Sequence, residues 1–178
     1  ACIIPTHGRP SHLSRSLESV LQQSLAPAEI VVVDDLDDGS TAAIVQVTAL
    51  RTEIPLRRIL NRTNPGASGS RNAGAAASDA EFVAFLDDDD VWYPDHLARA
   101  MAELNRTGAD AVISGLRRIK HDGSIQPIVI PPRTAIQAPS LRESPTCRLQ
   151  KASRGSASSA TRSPRAAIST TSAGAKRT

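Results

Sequence analysis

The chain has 178 residues, a net charge of +3 and only 2% aromatic residues. This length fits one domain with a single core, and the shortage of aromatic side chains argues against a stacking surface for single-stranded nucleic acid. Its two cysteines cannot form a disulfide framework, and no apolar run approaches the length of a membrane span. We therefore expect a reduced, cytoplasmic protein that is neither exported nor a nucleic-acid binder.

Charge divides the chain into two segments. Residues 1–134 carry 13 Lys and Arg against 17 Asp and Glu, whereas residues 135–178 carry eight basic residues and a single acidic one, Glu143. The second segment is rich in Ser and Thr, and its few large aliphatic residues have no periodic spacing. Because such a segment buries too little apolar surface to offset its ordering entropy, we predict a domain over 1–134 and a disordered tail over 135–178.

Two explanations for this tail are open. Its basic residues could form an arm that contacts nucleic-acid phosphates. The explanation that we favour is out-of-frame translation of a GC-rich gene, which yields Arg, Ser, Ala and Pro without selection. Sequencing the locus tests this hypothesis, since it requires a single-base change that restores a long, patterned reading frame.

Strand and helix patterns alternate along the first segment. The predicted elements are, in chain order, a strand at 2–4, a helix from Ser11, a strand at 29–33, a helix at 42–50, a strand at 56–60, a helix at 70–77, a strand at 81–86, a helix from Pro94 and a strand at 111–114. The uninterrupted β-branched run at 30–33 is typical of a strand buried on both faces. Repeated strand–helix units predict an α/β fold whose mostly parallel sheet carries helices on both faces.

Polar residues follow the predicted strands at the point where each strand ends. Ligands of such sheets bind beyond the carboxyl ends of the strands, so these residues are the candidate site. They are Thr6-His7-Gly8-Arg9, Asp34-Asp35, Asn61-Arg62 and Asp87-Asp88-Asp89-Asp90.

The run of four aspartates is the strongest of these signals. Adjacent carboxylates repel one another, and a divalent cation would offset that repulsion. If the strand geometry continues, Asp87 and Asp89 lie on the same side and offer hard oxygen ligands. The alternative is a solvated acidic loop that caps the helix near Pro94, where the helix dipole favours negative charge.

Several motifs together resemble a known family. They are Ile3-Ile4-Pro5-Thr6, Val33-Asp34-Asp35, Arg71-Asn72-Ala73-Gly74 and Phe85-Leu86-Asp87-Asp88-Asp89-Asp90-Val91-Trp92-Tyr93-Pro94. In order and spacing they resemble the donor-binding half of family-two inverting glycosyltransferases of the GT-A fold, over roughly residues 1–125. The resemblance implies a GT-A, Rossmann-like sheet that is incomplete in this chain.

This resemblance also implies roles for individual residues. Pro5 and Thr6 would border the nucleobase, and Asp35 would accept a hydrogen bond from a ring N–H of the base. Arg71 would meet the base or the diphosphate. The implied nucleotide-sugar ligands are Pro5, Thr6, Asp35, Arg71, Asp87 and Asp88, and the implied ligand of Mg²⁺ or Mn²⁺ is Asp89.

The implied partners are a nucleoside-diphosphate sugar and a glycan, lipid or protein acceptor. Peripheral association with the inner face of the membrane stays open. An inverting transfer also needs a general base, usually a carboxylate. The carboxylates after Asp110 are Asp122 and Glu143, and neither stands in the family's motif context. No catalytic base can therefore be named, as expected if the C-terminus is truncated or frameshifted.

Two further interpretations remain. The chain could bind a nucleotide sugar as a remnant without transferase activity. The segment from Val83 to Val91 also fits the D-x-D-x-[T/V] signature of haloacid-dehalogenase-type phosphatases, in which Asp87 would be the nucleophile and Asp89 the acid/base. We favour this second interpretation least, because no acidic pair follows Asp95.

Overall fold

The computed structural model describes residues 1–119, 122 and 124–126, together with the backbone of residues 166–169. All nine elements predicted for the first segment are present, with ends shifted by a few residues. In chain order the elements are β1 (Cys2–Thr6), α1 (Pro10–Leu21), β2 (Ile30–Asp34), α2 (Ser40–Ala49), β3 (Leu56–Leu60), α3 (Ala67–Ala76), β4 (Phe82–Phe85), α4 (His96–Thr107), β5 (Ala111–Ile113) and β6 (Ala166–Ser169). The predicted α/β class is confirmed.

The strands form one six-stranded sheet in the order β3-β2-β1-β4-β6-β5, and every pairing is parallel. Thr6, Asp34 and Leu60 lie side by side at the carboxyl ends of β1, β2 and β3. Because all strands run in one direction, the segments that follow them meet at this edge. The candidate residues singled out above are therefore brought to one side of the molecule.

Strand β6 comes from the segment predicted to be a disordered tail. Its backbone pairs with β4 on one side and with β5 on the other. The expectation of disorder therefore does not hold for these four residues, because backbone pairing satisfies N–H and C=O groups whatever the side-chain pattern. The other residues of 135–178 lie outside the described part of the chain, so the domain boundary at residue 134 stays a prediction.

Apolar residues cover both faces of the sheet, as predicted. Helices α1, α2 and α4 pack on one face, where the buried residues include Ile4, Val32, Leu13, Leu17, Val45, Leu97 and Leu104. Helix α3 packs on the other face, where they include Ile3, Val31, Val33, Ala75 and Val83. Among the described residues, no helix has both the length and the apolar character needed to cross a membrane.

Helix α3 packs directly against the sheet at Gly74. A Cβ atom at this position would stand 2.2 Å from Cγ2 of Ile3 and 3.0 Å from Cγ2 of Val33, so any side chain would push the helix away. This close approach places Ser70 and Arg71 beside the carboxyl ends of the strands. The glycine of the Arg71-Asn72-Ala73-Gly74 motif thus has a packing role.

Candidate functional site

A cleft of about 560 Å³ opens at the carboxyl edge of the sheet. Six of the seven predicted site residues line it, namely Pro5, Thr6, Asp35, Asp87, Asp88 and Asp89. The seventh, Arg71, adjoins the cleft through an ion pair with Asp87. The topology therefore brings the predicted set together, while the role of each residue stays a prediction.

The four aspartates do not extend strand β4. The strand ends at Phe85, and the backbone N–H of Asp90 donates to the carbonyl of Asp87 at 3.0 Å, which closes a turn. The expectation that strand geometry would place Asp87 and Asp89 on one side is therefore wrong. Both residues nevertheless line the cleft, because the turn keeps the acidic run along its wall.

Asp88 is the buried member of this turn. Its side chain is 0% exposed, and its Oδ2 atom accepts hydrogen bonds from Thr6 Oγ1 at 2.6 Å and from Arg9 Nε at 3.2 Å. A second guanidinium nitrogen of Arg9 forms an ion pair with Oδ1. Burial raises the pKa of the Asp88 carboxyl, and the Thr6 hydrogen bond and the Arg9 charge oppose that rise. These contacts indicate that Asp88 anchors the turn to the end of β1.

Asp87 and Asp89 are more accessible than Asp88 and each has a cationic partner. Arg9 Nη1 donates to Asp89 Oδ2 at 3.0 Å, and the Asp89 side chain is 36% exposed. Arg71 Nη2 donates to Asp87 Oδ1, and the Asp87 side chain is 16% exposed. Two arginines therefore neutralise much of the charge that four successive aspartates would otherwise concentrate here.

Asp35 ties three segments to the cleft. Its Oδ1 atom accepts from Asn61 Nδ2 at 3.1 Å and from Ser70 Oγ, and its Oδ2 atom accepts from the backbone N–H of Gly66 at 2.6 Å. Its own N–H donates to the carbonyl of Thr6 at 3.1 Å. Asp35 thus fixes the loop between β3 and α3 against the end of β1.

The neighbouring Asp34 has a different, structural role. It is 1% exposed, and its Oδ1 atom accepts from the backbone N–H groups of Leu36 at 3.0 Å and Asp37 at 3.3 Å. Its Oδ2 atom accepts from Arg58 Nε at 2.9 Å. Asp34 therefore shapes the turn that follows β2, which leaves Asp35 as the carboxylate that faces the cleft.

Sequence reasoning missed the residues of α1 that support the acidic turn, Asp87–Asp90, from the buried side. Three polar side chains of α1 and its end, Ser16, Ser19 and Gln23, lie on the buried face of the helix. Ser16 Oγ donates to the carbonyl of Asp88 at 3.3 Å, Ser19 Oγ accepts from Trp92 N–H at 3.2 Å, and Gln23 Oε1 accepts from Leu97 N–H at 3.0 Å. Their signal in the sequence is polar residues spaced three and four apart on an apolar helix face. Arg9 is among the polar residues predicted to follow β1, but the sequence gives no sign that it pairs with Asp88 and Asp89.

Comparison with known proteins assigns this arrangement to a family. The family model described as "Glycosyl transferase family 2" matches residues 1–155, which is most of the chain. The chain belongs to glycosyl transferase family 2. The match extends past residue 134, into the segment predicted to be a tail.

Curated relatives of this family agree with the match. The chain is 34% identical over 142 residues to an uncharacterized glycosyltransferase of Nostoc sp.. This match covers 79% of this chain and 42% of the relative. It is 38% identical to the succinoglycan biosynthesis protein ExoW of Rhizobium meliloti, over 61% of this chain and 34% of ExoW. A third relative is the Escherichia coli protein WfgD, named UDP-Glc:alpha-D-GlcNAc-diphosphoundecaprenol beta-1,3-glucosyltransferase, at 25% identity over 72% of this chain and 50% of WfgD. The chain spans half or less of the length of these three relatives.

Solved structures show the same fold. The chain matches a crystal structure of S. aureus TarS at 30% identity and a TM-score of 0.55, over 64% of this chain and 34% of TarS. A structure of TarS in complex with UDP-GlcNAc matches at 28% identity and a TM-score of 0.54, over 64% of this chain and 33% of TarS. The mannosyltransferase PcManGT of Pyrobaculum calidifontis shares the fold at 24% identity and a TM-score of 0.58, over 66% of this chain and 35% of that one. The predicted GT-A fold and the resemblance to family 2 are confirmed.

Proposed function

We propose that this family 2 chain binds a nucleoside-diphosphate sugar in the described cleft and transfers the sugar, with inversion, to an acceptor hydroxyl. The observation that carries the proposal is the meeting of Thr6, Asp35 and the acidic turn at one edge of the sheet. The printed names of relatives support it, because WfgD uses UDP-Glc and TarS is found with UDP-GlcNAc. The acceptor class, cytoplasmic location and peripheral membrane association are parts of the same proposal.

The geometry supports a division of roles along the cleft. Pro5, Thr6 and Asp35 lie at the ends of β1 and β2, where we place the nucleobase. Asp87 and Asp89 lie beyond β4, where we place the ribose and the diphosphate. Asp88, which was expected to contact the nucleotide sugar, is buried and paired, so we propose that it acts by holding the turn in place.

The acidic turn suits a divalent cation only if the donor supplies further ligands. Within the described ranges, no group of three or more His, Cys, Asp or Glu side chains is placed to hold a metal ion. Asp89 and Asp87 can offer carboxylate oxygens, and Mg²⁺ is commonly bound through one or two carboxylates together with substrate phosphates and water. We therefore propose that Asp89, with Asp87 beside it, binds Mg²⁺ or Mn²⁺ jointly with the diphosphate.

The chemistry follows from charge on the leaving group. Breaking the anomeric C–O bond builds negative charge on the departing nucleoside diphosphate. A bound divalent cation would supply Lewis-acid stabilisation of that charge. The chain itself brings the guanidinium groups of Arg9 and Arg71 to the same turn, where they hold Asp87, Asp88 and Asp89 in position.

No general base is identified among the described residues. The only described carboxylate after Asp110 is Asp122, which is exposed and accepts a hydrogen bond from the N–H of Ser124 at 2.8 Å. Hydrogen bonds from Ser124 lower the pKa of Asp122, which makes it a weaker base. Glu143 lies outside the described residues. Binding without transfer, as in a nucleotide-sugar-binding remnant, is therefore the second candidate function.

Calorimetric titration of the whole chain with UDP and GDP, each with and without Mn²⁺, tests the proposal. We expect binding that requires or is strengthened by Mn²⁺, because the metal joins two anionic partners. Failure of both nucleotides to bind, with and without Mn²⁺, would overturn it. Cleavage of a generic phosphate ester that is lost on Asp87→Asn would instead favour the phosphatase interpretation, which family membership does not support.

The contacts of Asp35 predict a preference for UDP over GDP. A carboxylate has about four lone-pair sites, and Asn61, Ser70 and Gly66 occupy three of those on Asp35. The remaining site on Oδ2 suits the single ring N–H of uracil, whereas the paired N–H groups of guanine would leave one donor unmatched. We expect UDP to bind about tenfold more tightly than GDP.

A substitution at Ser70 tests this count of acceptor sites. Ser70→Ala removes one donor from Asp35, so the difference between UDP and GDP should narrow. Ser78→Ala is the matched control, because Ser78 Oγ donates to Glu29 and does not contact Asp35. Equal affinities in the unaltered chain, or an unchanged difference in Ser70→Ala, would contradict the prediction.

A further inference from the structure

Arg9 is bound to two carboxylates of the acidic turn at once. Its Nε and one terminal nitrogen contact Asp88, and its Nη1 donates to Asp89 Oδ2 at 3.0 Å. The two partners differ in accessibility, since the side chain of Asp88 is 0% exposed and that of Asp89 is 36% exposed. Arg9 is thus anchored at its Asp88 side and open to the cleft at its Asp89 side.

The position of Arg9 places it in competition with a bound cation. Asp89 is the carboxylate that we propose as the metal ligand, and a divalent ion there would meet the positive charge of the guanidinium. The same ion would bring a diphosphate next to Arg9, which lines the cleft. A guanidinium pairs readily with phosphate oxygens. The metal ion would therefore repel the Arg9 guanidinium, whereas the diphosphate of the sugar donor would attract it.

We propose that Arg9 is an internal counter-cation whose Nη1 group exchanges Asp89 for the donor diphosphate when metal and donor bind. The inference rests on the proposed function of the cleft. The guanidinium is planar and rigid, and its contacts to Asp88 keep it in place during the exchange, so the Asp89 carboxylate turns to the metal while Nη1 stays and meets the diphosphate. Arg9 therefore weakens metal binding to the free protein and strengthens diphosphate binding to the metal-loaded protein. A residue that only stabilised the fold would affect both in the same direction.

Two titrations of the Arg9→Gln variant test these opposite effects. Mn²⁺ alone, titrated by calorimetry, should bind about tenfold more tightly than to the unaltered chain, because a competing charge is removed. UDP, titrated at saturating Mn²⁺, should bind about tenfold more weakly, because a charged partner of the phosphate is lost. Arg51→Gln is the control for net charge. Arg51 follows α2, pairs with Glu18 and does not line the cleft, so the substitution should leave both affinities unchanged.

A second variant keeps the inference testable if Arg9→Gln does not fold. Arg9→Lys retains the charge but cannot span Asp88 and Asp89 together, so UDP affinity should fall while Mn²⁺ affinity stays within about twofold. Affinities for Mn²⁺ and UDP that fall together, or that do not change, would overturn the role of Arg9. If the unaltered chain binds neither UDP nor Mn²⁺, the proposed function itself fails.

Discussion

Replacing Asp89 with Ala should remove the Mn²⁺ dependence of UDP binding. The substitution deletes the most exposed carboxylate of the acidic turn, which is the one we propose as a ligand shared between protein and donor phosphates. We expect UDP affinity at saturating Mn²⁺ to fall at least about tenfold, which corresponds to about 1.4 kcal/mol. Calorimetric titration with UDP, with and without Mn²⁺, measures both the affinity and its metal dependence.

Asp95→Ala is the matched control for this experiment. Asp95 lies just before α4 and pairs with the exposed Arg99. Its substitution by Ala removes the same charge from the same region of the chain. Its UDP affinity and Mn²⁺ response should match those of the unaltered chain. If Asp89→Ala also keeps both values, the acidic turn is a solvated cap for α4 and the metal assignment is wrong.

The order of the elements and the edge that carries the cleft follow from local patterns. The β-branched run of β2 and the periodic apolar residues of α1 and α4 each indicate their element without reference to the rest of the chain. Once the strands are parallel, their carboxyl ends must share an edge. The residues that face the cleft could therefore be predicted as a set.

The contacts within the cleft could not be predicted in this way. The pairing of Arg9 with Asp88 joins residues 79 positions apart, and nothing in either local pattern indicates it. The turn at Asp87–Asp90 replaced the expected strand geometry because a hydrogen bond between its own ends competes with extension of β4. Side-chain pairing and loop closure depend on which residues the fold brings together, and the periodicity of the sequence does not give that information.

Strand β6 is a further feature that the sequence pattern did not predict. Pattern reasoning judges a segment by the apolar surface that it can bury, and residues 135–178 have little of it. The gap between β4 and β5 supplies a different driving force, because both strands carry backbone groups that need partners. That pairing depends less on the side chains of β6 than on the unpaired backbone groups that β4 and β5 present on either side of it.

Deleting residues 135–178 should therefore destabilise the domain. The deletion removes β6, through which β4 and β5 are joined, so it leaves one edge of β4 unpaired and β5 without a strand partner in the described sheet. At about 1 kcal/mol for each lost hydrogen bond, we expect the free energy of unfolding to fall by about 3–5 kcal/mol. The corresponding fall in Tm is about 10 °C, measured by circular dichroism of the shortened and full-length chains.

Two controls separate the loss of β6 from the loss of the rest of the tail. A chain that ends at residue 172 keeps β6 and should melt with the full-length protein. Ile168→Pro, which removes a backbone donor where Ile168 lies between Ala84 and Val112, should lower Tm toward that of the deletion. If residues 1–134 alone melt at the temperature of the full chain, the tail contributes no structure and the out-of-frame hypothesis gains support. A large fall in Tm would remove the main support of that hypothesis, which is the expected lack of structure in the tail. It would also make Glu143 a candidate general base to test by Glu143→Gln.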